Sequence, residues 1–261
     1  MSGHQFPDVE SITLEEWNEF GPRFIDVLTG MGARRIVPVG STGQKPVMGD
    51  IDLAVYHPEG RDGLYERLEK RFKLKRVGQD LVSVKCPLDR TRWVQIDLMV
   101  GDPTFLSWSR AGSTDPGVRG AARAIMLNAM LRNLSPPEVG LTRTRHVLDF
   151  GSGLYRVKQT RHGKKNNVLK EWKALDRKLV TSDPDQIVKF LFGVSTKATV
   201  ESTKSMSGLI AAARASNKWT YFIDTFLIEY LSEIKALDKK KPGTYGDLKA
   251  ISQVALQMPG I

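Results

Sequence analysis

The sequence predicts an α+β protein: a small mixed sheet with flanking helices in the first part of the chain and a mainly helical C-terminal region. Three observations carry this. Apolar and polar residues alternate in IDLAVY (51–56) and WVQIDLMV (93–100), the period of a strand. Trp17, Phe20, Phe24 and Leu28 recur at helical spacing before the first of them. Beyond Gly193, Trp219, Phe222, Ile223, Phe226, Leu227, Tyr230, Leu231 and Ile234 form a long apolar stripe at the same spacing.

Thr13 followed by Glu16 reads as a capping box, so the first helix starts there, with Pro22 a kink point inside it. Arg35 to Val39 reads as a short strand running into the glycine-rich segment GSTGQKPVMGD, after which IDLAVY is a second strand. Leu64, Leu68 and Phe72 mark a helix, Lys73 to Lys85 a hairpin, and Trp93 to Val100 a strand ending at Gly101. Pro116 to Leu134 is a helix-favouring run that Pro136-Pro137 stops. His146 to Phe150 and Leu154 to Gln159 read as strands around Gly151-Ser152-Gly153, and Pro184 to Phe192 as a short helix. The expected division is a catalytic domain over 1–150, a basic strand and helix extension over 151–194, and a helical domain over 195–261.

With 261 residues, 41% of them hydrophobic, the chain can bury a sizeable core, which excludes disorder as its default state. Lys and Arg number 39 against 29 acidic residues, and the resulting charge of +10 favours a polyanionic partner such as DNA or RNA. The single cysteine, Cys86, excludes an internal disulfide and a thiolate zinc site and reads as a small strand residue. No stretch has the roughly 20 apolar residues of a membrane span, and MSGHQFPDVE lacks the regions of a signal peptide, so a soluble cytoplasmic protein without a membrane partner is expected.

The chemistry centres on Gly49-Asp50-Ile51-Asp52-Leu53-Ala54-Val55. Side chains alternate across a strand, so Asp50 and Asp52 share one face while Ile51, Leu53 and Val55 take the other. Two carboxylates so close repel each other, and an oxygen-seeking divalent cation relieves the repulsion. A third acid, Asp97, stands with Gln95 on the polar side of a strand whose other side is Val94, Ile96, Leu98 and Val100. If the two strands are neighbours, the three acids could hold two metals about 3.5–4 Å apart. Upstream, Gly40-Ser41 ends a strand where glycine lets backbone N–H groups approach a phosphate and serine adds a hydroxyl.

Gly40-Ser41, a spacer, Asp50-x-Asp52 and the distant Asp97 together resemble the signature of the polymerase-beta-like nucleotidyltransferase superfamily over about Arg35 to Leu134. The resemblance implies a palm-like mixed sheet backed by helices, use of a nucleoside triphosphate with Mg²⁺ (Mn²⁺ as the alternative), and release of pyrophosphate. It implies Asp50 and Asp52 as metal ligands, Asp97 as the third ligand beside the attacking hydroxyl, and Gly40 with Ser41 on the triphosphate. Gly112-Ser113 followed by Arg119 and Arg123 is similar to the nucleotide-contacting Gly-Ser and following segment of family X DNA polymerases, which adds Gly112, Ser113 and Arg123 as nucleotide contacts. The spacer Thr42, Gly43, Gln44, Lys45 departs from that family's basic pattern; Lys45 is a candidate phosphate ligand or an exposed loop lysine. The stretch before Arg35 is too short for the family's lyase domain, so templated gap repair is not expected.

Arg119 and Arg123 lie one turn apart and form either a phosphate-binding or a solvated helix face. From Arg156 to Lys178 nine Lys or Arg stand against Glu171 and Asp176, with Tyr155 and Trp172 interleaved, which suits phosphate contacts and base stacking by a segment including Arg161, Lys164, Lys165, Lys170 and Lys173. His146 and His162 lack metal-ligand spacing. The leading expectation is nucleotidyl transfer to the 3′ end of DNA or RNA. A protein or small-molecule hydroxyl such as that of an aminoglycoside is the alternative, and a non-catalytic scaffold holding nucleic acid is the third reading. The sequence leaves the oligomeric state open.

Overall fold

Thr13 starts the first helix in the way its spacing to Glu16 requires: its hydroxyl accepts the Glu16 N–H (3.2 Å) and the Glu16 carboxylate accepts the Thr13 N–H (2.8 Å). The computed structural model describes residues 5–78, 80–135, 142–161, 164–165, 168–169, 172–219 and 223–256. It is mixed α+β, with eight helices and a five-stranded mixed sheet among those residues. The chain divides into two compact units, Met1–Ala111 and Gly112–Ile261.

In the first unit β1 (Ile12–Thr13) leads into α1 (Leu14–Gly30), β2 (Arg34–Pro38), β3 (Val47–Met48), β4 (Ile51–Tyr56), α2 (Gly60–Leu68), β5 (Lys73–Val77), β6 (Leu81–Pro87), β7 (Trp93–Val100) and α3 (Pro103–Ser109). The sheet order is β2-β4-β7-β6-β5, with β4 and β7 parallel and the other neighbours antiparallel. β5 and β6 are the hairpin expected over 73–85. The apolar halves of β4 and β7, Ile51, Leu53, Val55, Ile96 and Leu98, pack with Trp17, Phe24 and Leu28 of α1 and Leu64 and Leu68 of α2. Each such large side chain contributes about 1.5–3 kcal/mol on burial, so this one cluster fixes which face of β4 and β7 turns inward. On the opposite face Leu106 of α3 packs with Val39, Ala54 and Met99. α3 went unforeseen; it is two turns long, started by Asp102, whose carboxylate accepts the Thr104 N–H, and by Pro103. Cys86 is a buried β6 residue, as expected.

The second unit runs α4 (Gly120–Asn133), β8 (Thr142–Asp149), β9 (Gly153–Thr160), β10 (Lys164–Lys165), β11 (Val168–Leu169), β12 (Lys173–Thr181), α5 (Pro184–Phe192), α6 (Met206–Arg214), α7 (Ile223–Lys240) and α8 (Leu248–Leu256). The strands expected around Gly151-Ser152-Gly153 are β8 and β9. Gly153 is needed there: its φ is +136°, and a Cβ would stand 2.7 Å from the Thr181 carbonyl. The helix stop at Pro136-Pro137 lies outside the described residues.

Two expectations are corrected here. Trp219, expected to open the C-terminal apolar helix stripe, lies instead in the turn after α6, where the Ser216 hydroxyl donates to the Phe192 carbonyl (2.6 Å). It is fully buried, with its indole N–H on the Leu191 carbonyl (2.9 Å) and its ring 5.2 Å from Phe226. Phe222 lies outside the described residues. The second correction concerns Arg123, for which one reading was a solvated helix face. Its side chain is fully buried, its Nε donates to the Thr203 carbonyl (2.9 Å), and burial lowers its pKa to about 9. No described helix is long and apolar enough to cross a membrane.

Candidate active site

β4 and β7 are parallel neighbours in a register that sets Asp52 directly opposite Asp97. In the next strand Ser83 of β6 stands opposite Asp97, so one row of the sheet reads Asp52, Asp97, Ser83. The alternation that buries Ile51, Leu53, Ile96 and Leu98 on one side leaves this row on the other. The next row along the same side, Ala54, Met99 and Leu81, is apolar and packs beneath α3. The acids therefore occupy the polar half of a face whose other half is core.

The Asp97 carboxylate is held: its Oδ1 accepts from the Ser83 hydroxyl (2.7 Å) and from the Gln95 side-chain amide (3.0 Å). Gln95 in turn accepts the Gln5 backbone N–H (2.6 Å), tying the N-terminal strap to this network. All three side chains are buried. Lys85, on the same face opposite Gln95, is buried too; its ammonium pairs with Asp8 and lies 4.6 Å from the centre of the Trp93 ring.

The turn at Gly40 closes on Asp52 from the other strand. The Val39 N–H donates to the Asp52 carbonyl (3.0 Å), and the Asp52 N–H donates to the Thr42 hydroxyl (2.8 Å). Gly40 has φ +63°, and a Cβ there would lie 2.6 Å from Asp52 Oδ2, so only glycine brings the backbone this near the carboxylate. Ser41 follows within the turn, half-buried, its carbonyl accepting the Gln44 N–H; Lys45 is exposed further along the loop. Asp50 is half-buried immediately before β4.

Burial, then the neighbouring Asp50 and Asp97 carboxylates, push the Asp52 carboxyl up from 3.8 to about 7, opposed by the Arg110 cation. Burial and the two carboxylates disfavour the charged form, whereas the Arg110 cation favours it. Such an accumulation of like charge at a buried acid is characteristic of a functional site. Among the described residues no three carboxylate, thiol or imidazole side chains are already gathered as a ready-made cage for an ion. The donor set nonetheless suits a hard divalent cation. Its oxygens are carboxylate oxygens, and Asp52 carries a repulsion that a cation beside it would remove. A separate cleft of about 620 Å³ in this unit is lined by Arg35, Tyr56, His57, Arg61 and Asp102, at the far ends of β4 and β7, and includes none of the acids.

The structure thus sets Asp97 opposite Asp52 and Gly40 against the Asp52 carboxylate, with Asp50 just before β4. Three neighbours had no signal in the sequence reading: Thr42, Ser83 and Arg110. Ser83 becomes visible only through register, since it lies opposite Asp97 in a strand with no motif of its own. Gly112, Ser113 and Arg123 belong to the second unit. There the Ser113 hydroxyl donates to Asp115 (2.8 Å), whose carboxylate accepts the Met206 and Ser207 N–H groups (2.8 and 3.0 Å) where α6 begins. In the basic segment Arg161 is half-buried and Lys173 exposed on β12; Lys170, His162 and the side chains of Lys164 and Lys165 lie outside the described residues. His146 sits against the Phe190 ring at 4.6 Å. Comparison with known proteins finds no matching family model and no matching curated protein.

Proposed function

We propose that this protein is a nucleotidyltransferase of the polymerase-beta-like superfamily, moving a nucleotidyl group from a ribo- or deoxynucleoside triphosphate to a hydroxyl and releasing pyrophosphate. The 3′ end of DNA or RNA is the acceptor that a charge of +10 fits best. One observation carries the reading: Asp52 faces Asp97 across the parallel β4–β7 pair, with the Gly40 turn pressed against the Asp52 carboxylate. Asp97, distant in sequence, comes opposite Asp52 only through this register, and the Gly40 turn meets the same carboxylate.

The residues divide the work as follows. Asp50, Asp52 and Asp97 would hold Mg²⁺, which when bound supplies charge neutralisation for the triphosphate and lowers the pKa of the attacking hydroxyl. The Gly40–Ser41 backbone and the Ser41 hydroxyl receive the triphosphate, and Arg110, the cation already felt by Asp52, adds positive charge beside it. Asp97, fixed by Ser83 and Gln95 through Oδ1, orients the acceptor hydroxyl and draws off its proton. The acceptor oxygen then bonds to the α-phosphorus as the bond to the β-phosphate bridge oxygen breaks, and pyrophosphate leaves.

Incubation with each labelled ribo- and deoxynucleotide, Mg²⁺ or Mn²⁺, and short oligonucleotides tests this reading. Extension of a strand supports it. Failure to extend any strand, with labelling of a protein or small-molecule hydroxyl instead, moves the acceptor to that class. Absence of pyrophosphate release under every combination removes the catalytic reading.

A further inference from the structure

The second unit carries a sheet, β12-β9-β8, whose register gathers cations on one face. Arg145 stands opposite Val157, which stands opposite Arg177; one row along, Arg143 stands opposite Gln159, which stands opposite Ala174; one row back, Val147, Tyr155 and Leu179 align. Arg143, Arg145, Arg177 and Tyr155 therefore point to the same side. Arg161 and Trp172, each one residue past the paired Thr160 and Lys173, continue it.

The contacts bear this out. The guanidinium carbons of Arg143 and Arg161 lie 4.0 and 4.5 Å from the centre of the Trp172 ring, and that of Arg177 lies 3.8 Å from the Tyr155 ring. One acid, Asp149, shares the face, paired with Arg177. Asp176 belongs to the other side, opposite Lys158.

The aromatic rings, which the sequence suggests as platforms for bases, are instead occupied by guanidinium planes. Arg143 Nε donates to the Gln159 side chain (2.8 Å) and Arg177 pairs with Asp149, so both guanidinium groups are held in place, and a guanidinium fixed against a ring loses little side-chain freedom when it meets a phosphate. Arg143 and Arg145 on β8, Arg177 on β12 and Arg161 just past β9, with Asp149 as the acid on this face among the described strand residues, suit an extended polyanion better than a single anion.

We propose that this face binds a polynucleotide through its phosphates, with Arg143, Arg145, Arg161 and Arg177 as the contacts and Trp172 and Tyr155 as the rests that hold them. The inference goes beyond the transfer reaction and stands or falls apart from it, because the binding needs neither nucleotide nor metal.

The test is anisotropy of a dye-labelled oligothymidylate with the full chain in EDTA, over a range of salt. Each single-strand phosphate contact contributes about 0.7 to the slope of log affinity against log salt, so Arg143→Gln with Arg161→Gln and Arg177→Gln should flatten the slope by about 2. The three Lys variants at the same positions keep the charge but lose the fork and should fall between. Wild-type protein should bind an abasic oligonucleotide of equal length within about threefold of oligothymidylate, since stacked bases would otherwise supply a large share of affinity. An unchanged slope in folded variants, a larger loss with the abasic strand, or capture by phosphatidylserine vesicles in place of either oligonucleotide overturns the proposal. The abasic comparison decides even if the triple variant does not fold.

Discussion

Replacing Asp52 by asparagine should stabilise the metal-free protein while removing its chemistry, and the size of the gain should depend on pH in a defined direction. Folding raises the Asp52 carboxyl from 3.8 to about 7, so the folded state holds this proton more tightly than the unfolded chain does. Below about pH 4 both states are protonated and the site costs nothing. As pH rises towards 7 the unfolded chain ionises first and stability falls; above 7 the loss is complete. Each pH unit of such displacement corresponds to about 1.4 kcal/mol, which sets an upper bound of about 4 kcal/mol at pH 8. At pH 5 less than half of that is lost, so the advantage of Asp52→Asn should be about 2–3 kcal/mol greater at pH 8 than at pH 5. Urea unfolding in EDTA at the two values measures it, and adding Mg²⁺ at pH 8 should stabilise the wild type more than the variant. An advantage that is the same at both pH values, or a variant that is less stable at pH 8, would refute the view that Asp52 is held beside uncompensated carboxylates.

Two other substitutions follow from the same geometry. Gly40→Ala should cut nucleotide use far more than Ser41→Ala, because the new Cβ meets Asp52 Oδ2 at 2.6 Å in a left-handed backbone, whereas the serine loses one hydroxyl donor worth about 0.5–1.5 kcal/mol; steady-state kinetics on both variants measure the ordering. Ser83→Ala removes one of the donors on Asp97 Oδ1 and should lower turnover by about tenfold with nucleotide affinity little changed; a weakened nucleotide affinity with normal turnover would detach Ser83 from the acceptor side.

The facing of the candidate site was legible in sequence because it rests on period-two alternation, which assigns faces without knowledge of the fold. Ile51, Leu53 and Val55 declared the buried side of β4, and the acids fell on the other. What alternation could not supply was register: that Asp97 lies opposite Asp52, and Ser83 opposite Asp97, depends on β4, β7 and β6 being neighbours. β12 was missed for a related reason. Its sequence KALDRKLVT has most of its residues exposed, so no apolar side marks it as a strand. Arg123 misled because a charged residue on a helix reads as surface unless the carbonyl that receives it, here Thr203, is already placed. Trp219 read as helical because its spacing continues the apolar stripe of α7, although it is buried from the turn that follows α6.

If Asp52 and Asp97 serve different partners in one reaction, Asp97→Asn separates them, assayed with one working acceptor for turnover and with a non-hydrolysable nucleotide analogue for affinity. Mg²⁺-dependent analogue binding should stay close to that of the wild type while transfer falls at least about a thousandfold, roughly the loss expected when a hydroxyl keeps its place but not its proton acceptor. Near-wild-type transfer by Asp97→Asn would contradict this division and leave Asp97 as a structural anchor for Ser83 and Gln95.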